Sequence, residues 1–411
     1  YKKELPKLSI KKTTFITYKF EVMLKKSIAL LIVTILFIHC KNDTPVTLST
    51  SNYADVINKE FTGNLAFETT SFVEKYWRVV GNTGFNKSIY KIAEDLEKAG
   101  YILEENATEN TVLTYRIEKR PLRKPTWESV DASIHIKGEA APLLQHTTNR
   151  NMIALNSYST SKEGINAEVI YVKNIKNISK LVVKGKIVFA ETSPYRIYKT
   201  AIIDGKAAGI MTYNNPDYLQ PEKNTTSIQF RSIPLDTINK PWAIAMSYEA
   251  KERLKKSLEK GKTTLNVKIE TNIYPSEELT IVADIKGNEK PKERLVFSAH
   301  IQEPGANDNA TGVGVALEMA SLTANFIKQK QYHPKRTLTF LWGDEIVSTR
   351  RYVQEDSIRA KDIKWGISLD MVGENTEKTG GTFLIEKMPD PSAIWTRGND
   401  KHTEWGGSKM R

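Results

Sequence analysis

The stretch LVFSAHIQEPGANDNATG, residues 295–312, joins an apolar run, a histidine and a short polar loop that leads into a helix-like segment. The apolar run Leu295–Ala299 is typical of a buried strand, and residues Gly312–Lys328 repeat their apolar side chains at helical spacing. Two more apolar runs, Thr337–Trp342 and Trp365–Leu369, follow along the chain. Strands that alternate with helices predict an α/β domain with a mostly parallel central sheet flanked by helices.

Each of these three predicted strands is followed by side chains that can bind a metal ion. His300 and then Asp308 follow the first strand, Asp344 and Glu345 follow the second, and Asp370 follows the third. Because the carboxyl ends of parallel strands meet at one edge of a sheet, we expect these side chains to converge. Imidazole with carboxylates is a typical zinc shell, and two zinc ions can share a bridging carboxylate.

Every one of these residues also has an ordinary structural explanation. A single histidine after a strand is usually just a polar residue, and Asp308 could cap the helix that starts near Gly312. Asp344 and Glu345 could be a solvated pair in a loop. The conjunction of candidate ligands after three successive strands favours the metal site over these separate explanations.

Residues 279–373 resemble the co-catalytic zinc aminopeptidase family, which includes secreted bacterial aminopeptidases, glutamate carboxypeptidase and the transferrin receptor. The similarity rests on four motifs: AH at 299–300, GANDNATG at 305–312, FLWGDE at 340–345 and SLDMVG at 368–373. The resemblance implies a zinc-dependent exopeptidase, most similar to aminopeptidases, that hydrolyses peptide substrates outside the cytoplasm.

The resemblance also implies a role for each candidate residue. His300 and Asp370 would bind one zinc ion, Asp308 would bridge two zinc ions, and Glu345 would bind the second. Asp344 stands where the family has its general base, usually a glutamate, which takes a proton from water and passes it to the leaving amine. The family therefore implies two Zn²⁺ per intact protein.

This sequence departs from the family pattern in three places. Gln302 stands where many members have an aspartate that orients the ligand histidine, and Asp344 is one methylene shorter than glutamate. The family's last histidine ligand has no clear counterpart, since the only later histidine is His402, in a polar stretch. We expect the sequence to be truncated and the missing ligand to lie beyond residue 411. A chain lacking it should hold at most one zinc ion tightly and be inactive.

Other functions remain open from the residues alone. The three departures would suit a catalytically inactive binding protein on the same fold. A carboxypeptidase or a glutaminyl cyclase-like activity would use the same scaffold and the same ligands. Zinc content would separate the binding protein from the enzymes, because the binding protein needs no stoichiometric zinc.

The segment from about residue 169 to 275 differs in its sequence pattern from the rest of the chain, and it resembles the protease-associated domain. The resemblance rests on GKIVFAE at 185–191 and on a spaced pattern of alanines and glycines from Ala201 to Asn214. Within it, Leu181–Ala190 predicts two apolar strands around a turn, and Tyr198–Ala208 predicts a helix. We expect residues 131–275 to be this small β-rich insert, between two parts of the peptidase domain at residues 66–130 and 276–411.

The N-terminal region has the pattern of an export signal. Met23 is followed by two lysines, an uncharged run and Cys40, the only cysteine of the chain. A basic segment before a short apolar run is typical of a signal peptide, and a cysteine at its end fits a bacterial lipoprotein. The expected segments are an upstream non-native extension at residues 1–22, a lipoprotein-type signal peptide at 23–40 and a tether at 41–65.

Lipid attachment at Cys40 would hold the exported protein at a bacterial membrane, in the periplasm or on the cell surface. Nucleic acid is not an expected partner, although the formal charge is +12. Residues 1–26 contain eight lysines and two glutamates, which is half of that charge, and the remainder is spread without a dense basic block.

Overall fold

The computed structural model describes residues 50–379 and residue 381. The predicted signal peptide, Cys40 and His402 lie outside these residues. The strands of the described part are β1 (Ile102–Leu103), β2 (Leu113–Pro121), β3 (Thr126–Ile136), β4 (Leu144–Gln145), β5 (Ile165–Tyr171), β6 (Ile187–Ala190), β7 (Gly209–Thr212), β8 (Ala243–Ala245), β9 (Thr264–Tyr274), β10 (Glu277–Ile285), β11 (Lys290–His300), β12 (Arg336–Gly343) and β13 (Ile363–Ser368).

Nine α-helices accompany these strands in the described part of the chain. They are α1 (Thr50–Glu60), α2 (Asn64–Val73), α3 (Thr83–Ala99), α4 (Pro194–Tyr198), α5 (Tyr248–Glu259), α6 (Ala310–Lys328), α7 (Val347–Gln354), α8 (Ser357–Asp362) and α9 (Thr376–Thr379).

The first sheet has six strands in the order β1-β2-β10-β12-β11-β13. As the sequence predicts, β11 lies parallel to both β12 and β13, and these are the strands that precede the candidate ligands. The sheet is nevertheless mixed, because β10 runs antiparallel to β12 and to β2. Only residues 286–289 separate β10 from β11, which is too short for the crossover that parallel strands need.

Helices cover both faces of this sheet. On one face α3 and α6 pack against Ile281, Phe297 and Trp342. On the other face the alternate residues of the strands meet Tyr352 of α7. This alternation follows from the two-residue period of a strand, in which neighbouring side chains point to opposite faces. By length and hydropathy α6 could also cross a membrane, but most of it is buried, so it is the core helix of this domain.

Contacts between α2 and α6 fix the N-terminal segment to the core. Gly63 precedes α2 and offers no side chain to cap it. The buried carboxylate of Glu318 in α6 takes that role, accepting the backbone N–H groups of Gly63 and Ala66 at 2.8 Å each. A carboxylate at a helix N-terminus satisfies free N–H groups and is favoured by the helix dipole.

We expect Gly314→Ala to lower the free energy of unfolding by about 1–3 kcal/mol, although alanine is the better helix former. A Cβ atom on Gly314 would lie 2.3 Å from the backbone oxygen of Ala66 and 2.9 Å from Thr70 Oγ1, so α2 would have to move. Gly366→Ala is the matched control, because its Cβ would meet nothing closer than 3.9 Å. Urea unfolding of both variants checks this, and a stabilised Gly314→Ala protein would contradict the packing described.

The second sheet has seven strands in the order β4-β3-β9-β5-β6-β7-β8. Strands β5 to β8 are parallel to one another, and β9 is antiparallel to both β3 and β5. The sheet is built from residues 126–274, compared with the predicted insert at 131–275. The difference arises because β3 begins at Thr126, directly after the short turn that leaves β2.

Two local predictions in the second sheet were wrong. Residues 181–183 are not a strand: Val182 is 85% exposed, and only Val183 of the three is buried, so this segment has no sheet to join. The helix predicted at Tyr198–Ala208 begins earlier, at Pro194, whose fixed φ suits the first turn of a helix. It continues as a π-helical turn over Lys199–Asp204.

Candidate metal centre

The candidate ligands follow strands whose ends lie side by side. His300 is the last residue of β11 and pairs in register with Gly343, the last residue of β12. Ser298 pairs with Ser368, the last residue of β13. The residues that follow these positions therefore leave the same edge of the sheet, as the parallel arrangement requires.

Three of the five side chains meet at this edge. His300 Nε2 lies 3.5 Å from Asp308 Oδ1 and 3.6 Å from Asp370 Oδ1. The potential ligand atoms of these three residues are all within 4.8 Å of one another. We call His300, Asp308 and Asp370 the metal cluster.

The spacing of the metal cluster fits zinc. Zinc lies about 2.0–2.2 Å from histidine nitrogen and carboxylate oxygen, so two ligands of a tetrahedral site are about 3.4 Å apart. The two distances from His300 Nε2 are close to that value without any rearrangement. One imidazole and two carboxylates also leave a fourth position for water or substrate, which is the form of a catalytic zinc site.

The imidazole of His300 is held in the orientation that metal binding needs. The side chain is buried, and Nδ1 lies 3.2 Å from the backbone oxygen of Gln302. A carbonyl oxygen can only accept a hydrogen bond, so Nδ1 carries the proton in this contact. In the neutral ring Nε2 then presents its lone pair to Asp308 and Asp370. The carbonyl of Gln302 thus performs the orienting role for which the family uses an aspartate side chain.

The alternative explanation for Asp308, as a helix cap, does not hold. The cap of α6 is Asn309, whose Oδ1 accepts the backbone N–H of Gly312 at 3.1 Å. The same oxygen accepts the N–H of Met371 at 3.2 Å, and Asn309 Nδ2 donates to the backbone oxygen of Leu369 at 2.8 Å. Asn309 therefore ties the loop of Asp308 to the loop of Asp370, and the Asp308 carboxylate is not used as the helix cap.

A buried arginine anchors the loop between His300 and Asp308. Arg78 donates at 2.7 Å to the backbone oxygens of Ile301, Gly305 and Val73. Burial lowers the pKa of Arg78 to about 10, so it remains charged at neutral pH. From the second sheet's side, Arg150 donates to the backbone oxygen of Pro304 at 3.0 Å. Neither arginine lies in a motif that marks it in the sequence.

Asp344 and Glu345 lie in the loop after β12 and line one cavity together with His300. The backbone N–H of Asp344 donates to Ser348 Oγ at 2.7 Å. Burial, and secondarily the charge of Glu278, raise the pKa of Asp344 to about 6. Glu345 is exposed and contacts Gln302. A carboxylate with a raised pKa beside the cluster has the proton affinity that a general base requires.

Glu303 is a further carboxyl group at the cluster, and no sequence motif marks it. Burial and the neighbouring Asp308 raise its pKa to about 8. It adopts a φ of 89°, and Ile346 and Met371 have φ values of 57° and 50°. Each of the three loops that meet at the cluster thus holds a non-glycine residue in the sparsely populated left-handed region. Such strained positions often accompany functional sites.

The raised pKa of Asp344 makes the stability of the metal-free protein depend on pH. From pH 4 to 6 the unfolded chain releases the Asp344 proton while the folded protein keeps it, so stability falls as pH rises. Relative to wild type, Asp344→Asn should be about equally stable near pH 4 and about 1–2 kcal/mol more stable above pH 6. Urea unfolding in EDTA across this range measures the difference, and a pH-independent difference would contradict it.

Part of this chain is similar in sequence to known peptidases. Residues 280–397 match the model of peptidase family M28. A probable zinc metalloprotease of Pyrenophora tritici-repentis is 31% identical over 126 residues, which are 27% of this chain and 28% of that protein. Aminopeptidase YwaD of Bacillus subtilis is 27% identical over 230 residues, which are 52% of this chain and 45% of that protein.

Solved structures share the fold. A peptidase M28 precursor from Shewanella amazonensis superposes with a TM-score of 0.54 at 14% identity, covering 77% of this chain and 73% of that one. A zinc aminopeptidase from Bacillus subtilis superposes with a TM-score of 0.52 at 19% identity, covering 77% of this chain and 71% of that one. The chain spans less than half the length of the curated relatives named above.

Proposed function

We propose that this protein, which is a zinc aminopeptidase-like member of peptidase family M28, is a metallopeptidase that removes N-terminal residues from peptides. The observation that carries the proposal is the metal cluster, in which His300 Nε2 faces oxygens of Asp308 and Asp370 at 3.5 and 3.6 Å. The donor set and its spacing fit a zinc ion with an open position, and the relatives named as zinc enzymes support the choice of metal.

The residues around the cluster divide the chemistry between them. A bound zinc ion would supply Lewis acidity, which polarises a substrate carbonyl and makes water more acidic. Asp344, with its raised pKa, would accept a proton from the attacking water at a carboxylate oxygen and donate it to the leaving amine. Glu345 lines the same cavity as Asp344. By the family resemblance, Glu345 would bind a second zinc ion.

Zinc content together with peptide hydrolysis tests this function. The full-length protein should contain stoichiometric zinc and hydrolyse an aminoacyl chromogenic amide, and chelation should remove both. An N-acetylated version of the same amide is the matched control, because an aminopeptidase needs the free amine. Cleavage of the acetylated amide would contradict the aminopeptidase assignment, and a protein without zinc or activity would contradict the metallopeptidase.

We also propose that the protein acts outside the cytoplasm, anchored by a lipid on Cys40. The support is the basic segment and uncharged run that precede this single cysteine. Metabolic labelling with a fatty acid, in the native gene and in Cys40→Ser, tests the anchor. Label that persists in Cys40→Ser would contradict the lipid anchor.

The second sheet, residues 126–274, is proposed to be the protease-associated module, and no catalytic residue is assigned to it.

A further inference from the structure

Gln302 lies between the metal cluster and Glu345 and contacts both. Its backbone oxygen holds Nδ1 of His300 at 3.2 Å. Its side-chain Oε1 accepts the backbone N–H of Glu345 at 2.8 Å, and its Nε2 donates to Glu345 Oε2 at 3.5 Å. Gln302, in the loop after β11, therefore contacts both the imidazole at the end of β11 and the carboxylate of Glu345 in the loop after β12.

The amide side chain has only one orientation that satisfies both contacts. Oε1 must face the N–H of Glu345, and Nε2 must face its carboxylate, because a flipped amide would place two donors together and two acceptors together. Among residues 50–379 and 381, the side-chain contact of the Glu345 carboxylate is the one with Gln302 Nε2. The amide of Gln302 is therefore the side chain that orients it.

The chemistry of this contact explains why an amide suits position 302. An aspartate or glutamate there would place a second negative charge against the Glu345 carboxylate and could donate no hydrogen bond to it. The aspartate usual in the family orients its histidine through its side chain, but here the backbone carbonyl does so. The side chain at position 302 is thereby free to hold a different residue.

We propose that Gln302 is a positioning residue that holds the Glu345 carboxylate toward the metal cluster and so couples the loops after β11 and β12. The proposal rests on the proposed function, since it assigns Glu345 to the metal-binding face of the site. Gln302 itself touches neither the metal position nor the reacting atoms.

Gln302→Met tests whether Gln302 supports zinc binding and catalysis. Methionine keeps the length of the side chain and the backbone contact to His300, but loses both hydrogen bonds to Glu345. We expect zinc affinity, measured by competition with a chromogenic chelator, and kcat of the full-length protein each to fall about 10- to 100-fold. Gln354→Met, on an exposed glutamine at the end of α7, is the matched control and should change neither. A residue with a merely structural role would lower thermal stability and leave zinc affinity intact.

A double-mutant cycle in EDTA tests the contact without metal or activity. Gln302→Glu should lower the melting temperature by facing Glu345 with a like charge. Adding Glu345→Gln restores an amide facing a carboxylate with the roles exchanged, so the double variant should regain much of the loss. Additive effects, or a Gln302→Met protein with unchanged zinc affinity and kcat, would overturn the proposal. If wild type binds no zinc, the proposed function fails, and the cycle still decides the contact.

Discussion

Replacing His300 by alanine is expected to abolish tight zinc binding and with it all peptidase activity. His300 provides the only nitrogen of the metal cluster, and its Nε2 is within 3.6 Å of both partner carboxylates. Structural zinc sites with four ligands bind with about 10–16 kcal/mol, so one ligand contributes roughly 3 kcal/mol or more, equivalent to at least a 100-fold loss of affinity. Zinc content after gel filtration and the dissociation constant from chelator competition measure this loss.

His135→Ala is the matched control for this experiment. His135 lies in β3 of the second sheet, remote in the fold from the strands that end at the metal cluster. The control should keep wild-type zinc affinity and activity. A His300→Ala protein that still binds zinc with wild-type affinity would show that the metal is held elsewhere.

Replacing Asp344 by asparagine is expected to lower kcat by about 10²- to 10⁴-fold while zinc remains bound, since a positioned general base contributes about this much. Asparagine has nearly the same shape, but its amide cannot accept the proton. Asp344 is not part of the metal cluster, so the zinc dissociation constant should stay within a few-fold of wild type. Steady-state kinetics on protein with measured zinc content separates the two effects.

Asp344→Glu gives the complementary result. Glutamate is the usual base of the family, and its carboxylate reaches one methylene further into the same cavity. It should retain activity within about 10-fold of wild type, because proton transfer needs a carboxylate within reach of the water. Loss of zinc from Asp344→Asn, or equal kcat in Asp344→Asn and wild type, would contradict the assignment of the base.

The sequence was sufficient to predict the part of the fold that carries the site. The apolar runs before His300 and Asp344 form parallel neighbours in the first sheet. Strands of a parallel sheet are buried on both faces, so a continuous apolar run is typical of them. Once those strands are parallel, the side chains that follow them must leave the same edge. This is why His300, Asp308 and Asp370 could be placed together without a structure.

The supports of the site could not be predicted in the same way. Arg78 lies 223 residues before Ile301, to whose backbone oxygen it donates a hydrogen bond. No local sequence pattern predicts such a contact. Glu303 has a raised pKa only because folding buries it beside Asp308. From the sequence, Gln302 suggested that the aspartate supporting the ligand histidine is missing. In the structure its backbone oxygen contacts His300, and its side chain contacts Glu345. All of these depend on tertiary packing of loops.

The errors in secondary structure have a similar origin. Residues 181–183 are apolar and two of them are β-branched valines, but a strand forms only where a sheet edge is available to pair with it. The mixed direction of the first sheet depends on the four-residue connection between β10 and β11. Most of β10 is buried, so its apolar pattern did not reveal that it runs antiparallel.

We expect His300, Asp308 and Asp370 to bind one zinc ion together. The most direct measurement is the anomalous scattering of a zinc-loaded crystal recorded on both sides of the zinc absorption edge. We expect a zinc peak about 2.0–2.2 Å from His300 Nε2 and from one carboxylate oxygen each of Asp308 and Asp370. A fully loaded protein whose zinc lies away from these three side chains would contradict it.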